Sequence, residues 1–128
     1  MATLSPDTKN WSTIAHASGS IGQFFMPSFG FLPPLIIMAI RSEDTITAWH
    51  AKQAALFQVA MSVTAWLIAA VATAMSCFMV GLLIYPLVLV PLAAAIIVPI
   101  IAAVKVNNGE DYDYPLVSSF LDKPPQLR

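Results

Sequence analysis

Charged residues are missing from most of this sequence. Residues 53–104 contain no Asp, Glu, Lys or Arg, and residues 10–40 form a second charge-free run. Only 10% of the chain is charged and 58% is hydrophobic, whereas about 25% of an ordinary soluble domain is charged. A helix crosses the roughly 30 Å hydrocarbon core of a bilayer with about 20 apolar residues. Residues 53–104 are therefore long enough for two crossings, and the sequence predicts an integral membrane protein.

Cysteine and catalytic patterns are scarce as well. Cys77 is the only cysteine, which excludes an internal disulfide and a cysteine-rich metal site. The charge-free runs hold no carboxylate for acid–base chemistry or metal binding, and the chain has no nucleotide-binding glycine loop or zinc-site spacing. The net charge of −1 gives no sign of nucleic acid binding. We therefore predict no catalytic residues, no enzyme activity and no nucleic acid partner.

Turn-forming residues divide the chain into four helical segments within one membrane domain, residues 1–128. Ser5 and Pro6 are typical of a helix start, the proline-rich stretch 27–34 interrupts the first apolar run, and the Asn-Asn-Gly sequence at 107–109 is a strong helix stop. We predict an all-α protein with helices at about residues 6–25, 33–41, 45–75 and 80–106 and a polar tail over residues 107–128. Three prolines in the last helix predict that it is bent.

The path of the first two segments has two solutions. They form either a short helical hairpin that enters and leaves on one side of the membrane, or a single kinked span over residues 12–41. In the hairpin all six Lys and Arg lie on one face, which the positive-inside rule makes cytoplasmic; in the kinked span only Lys9 is opposite. Both place the C-terminus on the cytoplasmic side of a bacterial inner membrane, a photosynthetic membrane or an organellar equivalent.

Two polar stripes interrupt the apolar helices. They consist of His16, Ser20 and Gln23 on the first helix, and of His50, Gln53 and Gln58 on the third. Polar groups in lipid should face protein and hydrogen-bond there, so we interpret the stripes as a helix-packing seam. Two alternatives remain: His16 or His50 ligates the metal of a haem or a chlorophyll-type pigment, or the stripes line a path for a solute or a peptide. No other metal site is predicted, and no cofactor is predicted apart from lipid.

Four aromatic residues flank the apolar segments. They are Trp11, Trp49, Tyr112 and Tyr114. Trp and Tyr are enriched where a membrane meets water, so we expect these side chains at the interface.

Two stretches of the sequence resemble a known family. The sequence HAKQAALFQ at 50–58 and the sequence IIAAVKVNNGEDYDYP at 100–115 resemble signatures of a large family of small bacterial membrane proteins of unknown function. That family is usually described as similar to the roughly twenty-kilodalton membrane component of the chloroplast inner-envelope protein import machinery. The resemblance covers residues 12–121. It implies four helical segments with both ends on one side, and identifies no catalytic residue.

These observations favour a non-catalytic accessory or assembly subunit of a larger membrane complex. Its expected partners are membrane lipid and other membrane-protein subunits. A component of a polypeptide or solute translocation pathway is the first alternative, and a His-ligated pigment- or haem-binding subunit is the second.

Overall fold

The computed structural model describes residues 4–127, and all regular elements within them are helical. The main helices are α1 (Pro6–Phe25), α2 (Leu32–Ile40), α3 (Thr45–Met75), α4 (Val80–Ile84) and α5 (Leu89–Asn107). Short 3-10 turns follow α3, α4 and the start of the tail. The predicted all-helical fold is confirmed. The predicted domain also includes residues 1–3 and 128, which lie outside the described residues.

Side-chain caps fix where the longer helices begin. The Ser5 hydroxyl accepts a hydrogen bond from the Thr8 amide at 3.1 Å, and Pro6 follows as the first helical residue. The Asp44 carboxylate accepts one from the Thr47 amide at 3.2 Å. Each cap satisfies a backbone donor that has no partner within the helix. Because both caps lie at the charged end of the molecule, α1 and α3 start at the same level.

The first two helices form the hairpin rather than one kinked span. Arg41, just after α2, pairs with Asp7 in the first turn of α1 and lies 5.0 Å from the centre of the Trp11 ring. At the opposite end, Gly22 fits closely against Pro33, since a Cβ on this glycine would lie 3.0 Å from the proline Cγ. The chain therefore turns back between α1 and α2 and returns to its starting side.

Within residues 4–127, two helical stretches are long and apolar enough to cross a membrane. They are Thr45–Phe78 and Val80–Asn107, which contain 18-residue segments with mean hydropathies of 1.9 and 2.9. The second was expected as one bent helix, but a 3-10 turn at Tyr85–Val88 separates α4 from α5. Pro86 has no backbone N–H and its ring crowds the preceding turn, so the regular helix breaks there. Pro99 is instead accommodated within α5.

Small residues allow the helices to approach closely around a compact core. α1 packs against both α3 and α5, and α2 lies against α3 and α1. Fully buried alanines at these contacts are Ala15, Ala51, Ala54, Ala95 and Ala102. After α5 the chain folds back, so that Tyr114 and Val117 join the cluster around Phe57 and Met61. The first half of the tail is thus part of the core.

Candidate functional site

A chain of three aromatic polar side chains lies at the centre of the buried seam. The Tyr114 hydroxyl lies 2.9 Å from His16 Nδ1, and His16 Nε2 lies 3.1 Å from His50 Nδ1. All three side chains are fully buried. They come from the tail, α1 and α3, so this one network joins three parts of the chain that are distant in sequence.

The protons of this network are assigned from the hydrogen-bond partners, and a Tyr114 that donates gives one consistent assignment. The phenolic O–H of Tyr114 needs an acceptor, and His16 Nδ1 provides it. A neutral His16 then carries its proton on Nε2 and donates it to His50 Nδ1. His50 is left with its proton on Nε2, which has no partner among the described residues.

Helical spacing brings the two histidines together. Ser12, His16 and Ser20 recur every four residues and therefore share one face of α1. His50 lies in the second turn of α3, whose start is held by Asp44 and Thr47. Ser12 and Thr47 hydroxyls meet at 3.5 Å one turn before the histidines. Since both helices are capped at the same level, the two imidazoles occupy the same depth.

Apart from the contact of His16 with His50, the hydrogen bonds of the two predicted stripes are made to other parts of the chain. Gln58 Nε2 donates to the Ala95 carbonyl at 2.6 Å, and the Ser20 hydroxyl donates to the Ile96 carbonyl at 2.8 Å. Ala95 is four residues before Pro99, which has no N–H to donate to it. Gln58 therefore satisfies a carbonyl that the proline leaves without its helical partner, as neighbouring helices do in membrane proteins.

The tail is held at Tyr114 by its backbone and its side chain. The Tyr114 amide donates to Gln53 Oε1 at 3.0 Å, and the ring centre lies 4.8 Å from that of Phe57. Burial, with Tyr112 beside it, raises the pKa of Tyr114 well above its usual range. The phenol therefore stays neutral and can act as the donor to His16.

The aromatic residues expected at the interface occupy several environments. Tyr114 is in the core, and Trp49 is almost fully buried with the Lys123 ammonium 5.7 Å from its ring centre. Trp11 and Tyr112 are half-buried. The sequence alone did not indicate the role of Tyr114, because a tyrosine after a helix stop is typical of a membrane interface. One signal was available: two buried histidines that bond to each other need a further hydrogen-bonding side chain at the free end of the pair.

Gln23 completes the seam without joining its hydrogen bonds. It is buried against Gly30, where an added Cβ would lie 2.7 Å from Gln23 Oε1. Neither amide atom of this glutamine has a partner among residues 4–127. The structure thus joins His16, His50 and Gln53 in one network with Tyr114. It connects Ser20 and Gln58 to α5 instead, and Gln23 belongs to neither group.

The geometry suits packing more readily than metal binding. Residues 4–127 contain no group of three His, Cys, Asp or Glu side chains placed to hold a metal ion. Both nitrogens of His16 are engaged, and His50 Nε2 is closed to solvent. A haem or chlorophyll-type metal would reach a nitrogen of His16 only if this imidazole gave up its contact with Tyr114 or with His50.

Comparison with known protein families identifies a match over most of the chain. A model of the MamF/MmsF family, described as the magnetosome magnetite crystal formation protein family, matches residues 7–121. No curated protein and no solved structure matches the chain, so the comparisons show no link to the chloroplast import component. The matched range includes α1 from its second residue, the other four helices and Tyr114. The chain therefore belongs to the magnetosome magnetite crystal formation protein family, a family of small bacterial membrane proteins.

Proposed function

We propose that this chain is a non-catalytic subunit of the magnetosome membrane that supports magnetite crystal formation by assembling with other membrane proteins. The family match over residues 7–121 carries the proposal. The structure adds that the polar side chains most suited to chemistry are used to join α1, α3, α5 and the tail. What the molecule offers to its surroundings is chiefly an apolar surface.

One groove on that surface suits a helix of another subunit. It lies between α1 and α5 and has a volume of about 440 Å³. Its walls are formed by large apolar side chains, including Phe24 and Ile100, and its floor by Ala17, Ser20 and Ala103. Small residues flanked by large ones allow close helix–helix contact within a bilayer.

The proposed orientation places the charged end in the cytoplasm. The ion pairs Asp7–Arg41 and Asp111–Lys123 lie at the end where α1 and α3 begin and α5 finishes. The opposite turn, residues 76–83, has no charged residue. This distribution follows the positive-inside rule.

Solute translocation is the second candidate, and one observation favours it. Buried polar side chains extend along α3 from Thr47 to Ser62, about 22 Å at 1.5 Å per residue. Gln23 and Ser62, toward the deeper end, have polar atoms without partners among the described residues. A polar path for a solute would need such groups deep in the membrane. In this structure the packed helices close that path.

The test combines purification with crystal measurement in a magnetite-forming bacterium. The chain, tagged at its C-terminus, replaces the chromosomal copy and is purified in mild detergent. We expect stoichiometric co-purification with other membrane proteins, and an altered crystal size distribution by electron microscopy when the chain is deleted. Ala17→Leu, which fills the groove, should reduce co-purification several-fold. Ala70→Leu, the same change at an exposed position of α3, should not.

Each part of the proposal has its own contrary outcome. Unchanged crystals in the deletion strain would exclude a role in crystal formation. Elution of the chain alone, with crystals altered, would exclude the assembly role and favour translocation. Equal effects of Ala17→Leu and Ala70→Leu would exclude the groove as the contact surface.

A further inference from the structure

The tail carries two large apolar side chains that point away from the protein. Leu116 is 69% exposed, and Phe120 is 84% exposed, which is more than any large hydrophobic residue described on the membrane-crossing helices. Val117, between them, is only 6% exposed. The segment 115–121 therefore has an inner face that packs on the helices and an outer apolar face.

The inner face shows how deep this segment lies. Val117 belongs to the same buried cluster as Phe57, Met61 and Ala102. Phe57 is 12 residues after the start of α3, which is about 18 Å along the helix axis. Ala102 is five residues before the end of α5, about 7.5 Å back from that end. The tail thus runs back alongside the membrane-crossing helices instead of leaving them for water.

The backbone and the flanking charges agree with this placement. Leu116 has a φ of 73°, a left-handed conformation that a non-glycine residue keeps only where its surroundings hold it. Asp113 and Asp122, on either side of the segment, are exposed. Lys123 pairs with both Asp111 and Asp113. A short apolar face between charged flanks is typical of a segment lying in the membrane interface.

We propose that residues 115–121 are an interfacial anchor whose outer face is covered by bilayer lipid. Tyr114 and Val117 fix the segment to the helices, while Leu116 and Phe120 insert where the headgroups meet the acyl chains. Lipid is the occupant because the outer face is apolar and because Val117 clusters with Phe57 and Ala102, which lie on the two stretches long enough to cross a membrane. The anchor would hold the end of α5 and the His16–His50–Tyr114 network at a fixed depth.

Site-directed fluorescence in lipid vesicles tests the anchor on the full chain. The exposed Cys77 is first removed by Cys77→Ser, and Leu116→Cys or Phe120→Cys then introduces one thiol for a small fluorophore. Asp122→Cys and Gln126→Cys, at exposed polar positions of the same tail, are the matched controls. Each labelled protein, in phosphatidylcholine–phosphatidylglycerol vesicles, is quenched by nitroxide-labelled lipid and, separately, by aqueous iodide.

We expect the probes at positions 116 and 120 to be quenched by lipid several-fold more than those at 122 and 126, and by iodide several-fold less. Equal access of iodide to positions 120 and 122 would overturn the anchor. Protection of position 120 from both quenchers would also overturn it, because protein rather than lipid would then cover the segment. Two independent positions are probed, and gel filtration checks that each variant is folded. A result caused by misfolding of a single variant can then be recognised.

Discussion

Most buried polar side chains of the seam hydrogen-bond to a particular partner, whereas Gln23 has none among the described residues. Gln58 satisfies the carbonyl that Pro99 leaves free, and Gln53 binds the amide of Tyr114. The same spacing of polar residues was visible in the sequence, but the identity of the partners was not. A glutamine side chain can hydrogen-bond to a backbone group as readily as to another side chain. A stripe of polar residues therefore predicts the helix face on which they lie but not their hydrogen-bond partners.

The two histidines should be energetically coupled. His16→Ala and His50→Ala each remove one side of the 3.1 Å contact, and each should lower the free energy of unfolding by about 1–3 kcal/mol. The double variant should lose less than the sum, by about 0.5–3 kcal/mol. Unfolding in detergent measures all three.

A second pair provides the control. Ser20→Ala combined with His50→Ala should be additive, because Ser20 bonds to Ile96 and shares no hydrogen-bond partner with His50. Additive losses in the His16–His50 pair would contradict the coupling.

At the scale of elements, local signals placed the long helices well. Ser5-Pro6 and the Asn-Asn-Gly stop correspond to α1 starting at Pro6 and α5 ending at Asn107. The break at Tyr85–Val88 could not be read from composition, because Pro99 lies in the same kind of apolar segment and does not end its helix. Whether a proline bends or breaks a helix depends on which neighbours satisfy the freed carbonyl.

The turn between α3 and α4 should depend on Gly81. A Cβ there would lie 2.0 Å from the Ala72 carbonyl oxygen and 2.5 Å from the Ser76 nitrogen, so the two helices would have to separate. We expect Gly81→Ala to lower the free energy of unfolding by about 1–3 kcal/mol or more, as overpacking does. Val80→Ala, at a neighbouring exposed position, should change it by about 0.5 kcal/mol or less. Similar stability of both variants in detergent would refute the close approach.

At the scale of the whole molecule, the tail closes the structure. Tyr114 links it to α1 and α3, Val117 packs beside α3 and α5, and Lys123 pairs with Asp111. A tail with alternating acids and aromatics was expected to lie at the surface. Long-range packing overrides that local expectation. Burial of Tyr114 removes the apolar surface of its ring from solvent and places its hydroxyl where it can donate to His16.

Alkaline pH should release this closure. The raised pKa of Tyr114 means that the folded chain keeps the phenolic proton above about pH 10, where an unfolded tyrosine loses it. Stability is therefore fully present below about pH 10 and falls as the pH rises further. The hydrogen bond from Lys123 to Asp111 raises the pKa of Lys123, which acts in the same direction.

Tyr114→Phe separates the two contributions, because it keeps the ring and Lys123 but removes the phenol. Its free energy of unfolding in detergent should be lower than that of the unmodified chain at about pH 8, and should decline less steeply above about pH 10. Parallel pH profiles would contradict the prediction, because they would show that Tyr114 has the same pKa in the folded and the unfolded chain.

By itself, the sequence determined the membrane class, the helical content and the approximate helix ends. These depend on local quantities: runs without charge, capping residues and turn formers, each of which acts within a few residues. Only the tertiary structure decided the hairpin, the break before α5, the pairing of His16 with His50 and the burial of Tyr114. The histidine pairing and the burial of Tyr114 depend on groups that meet across 34 and 98 residues of sequence, and a polar or aromatic side chain has many possible partners until packing brings one of them within reach.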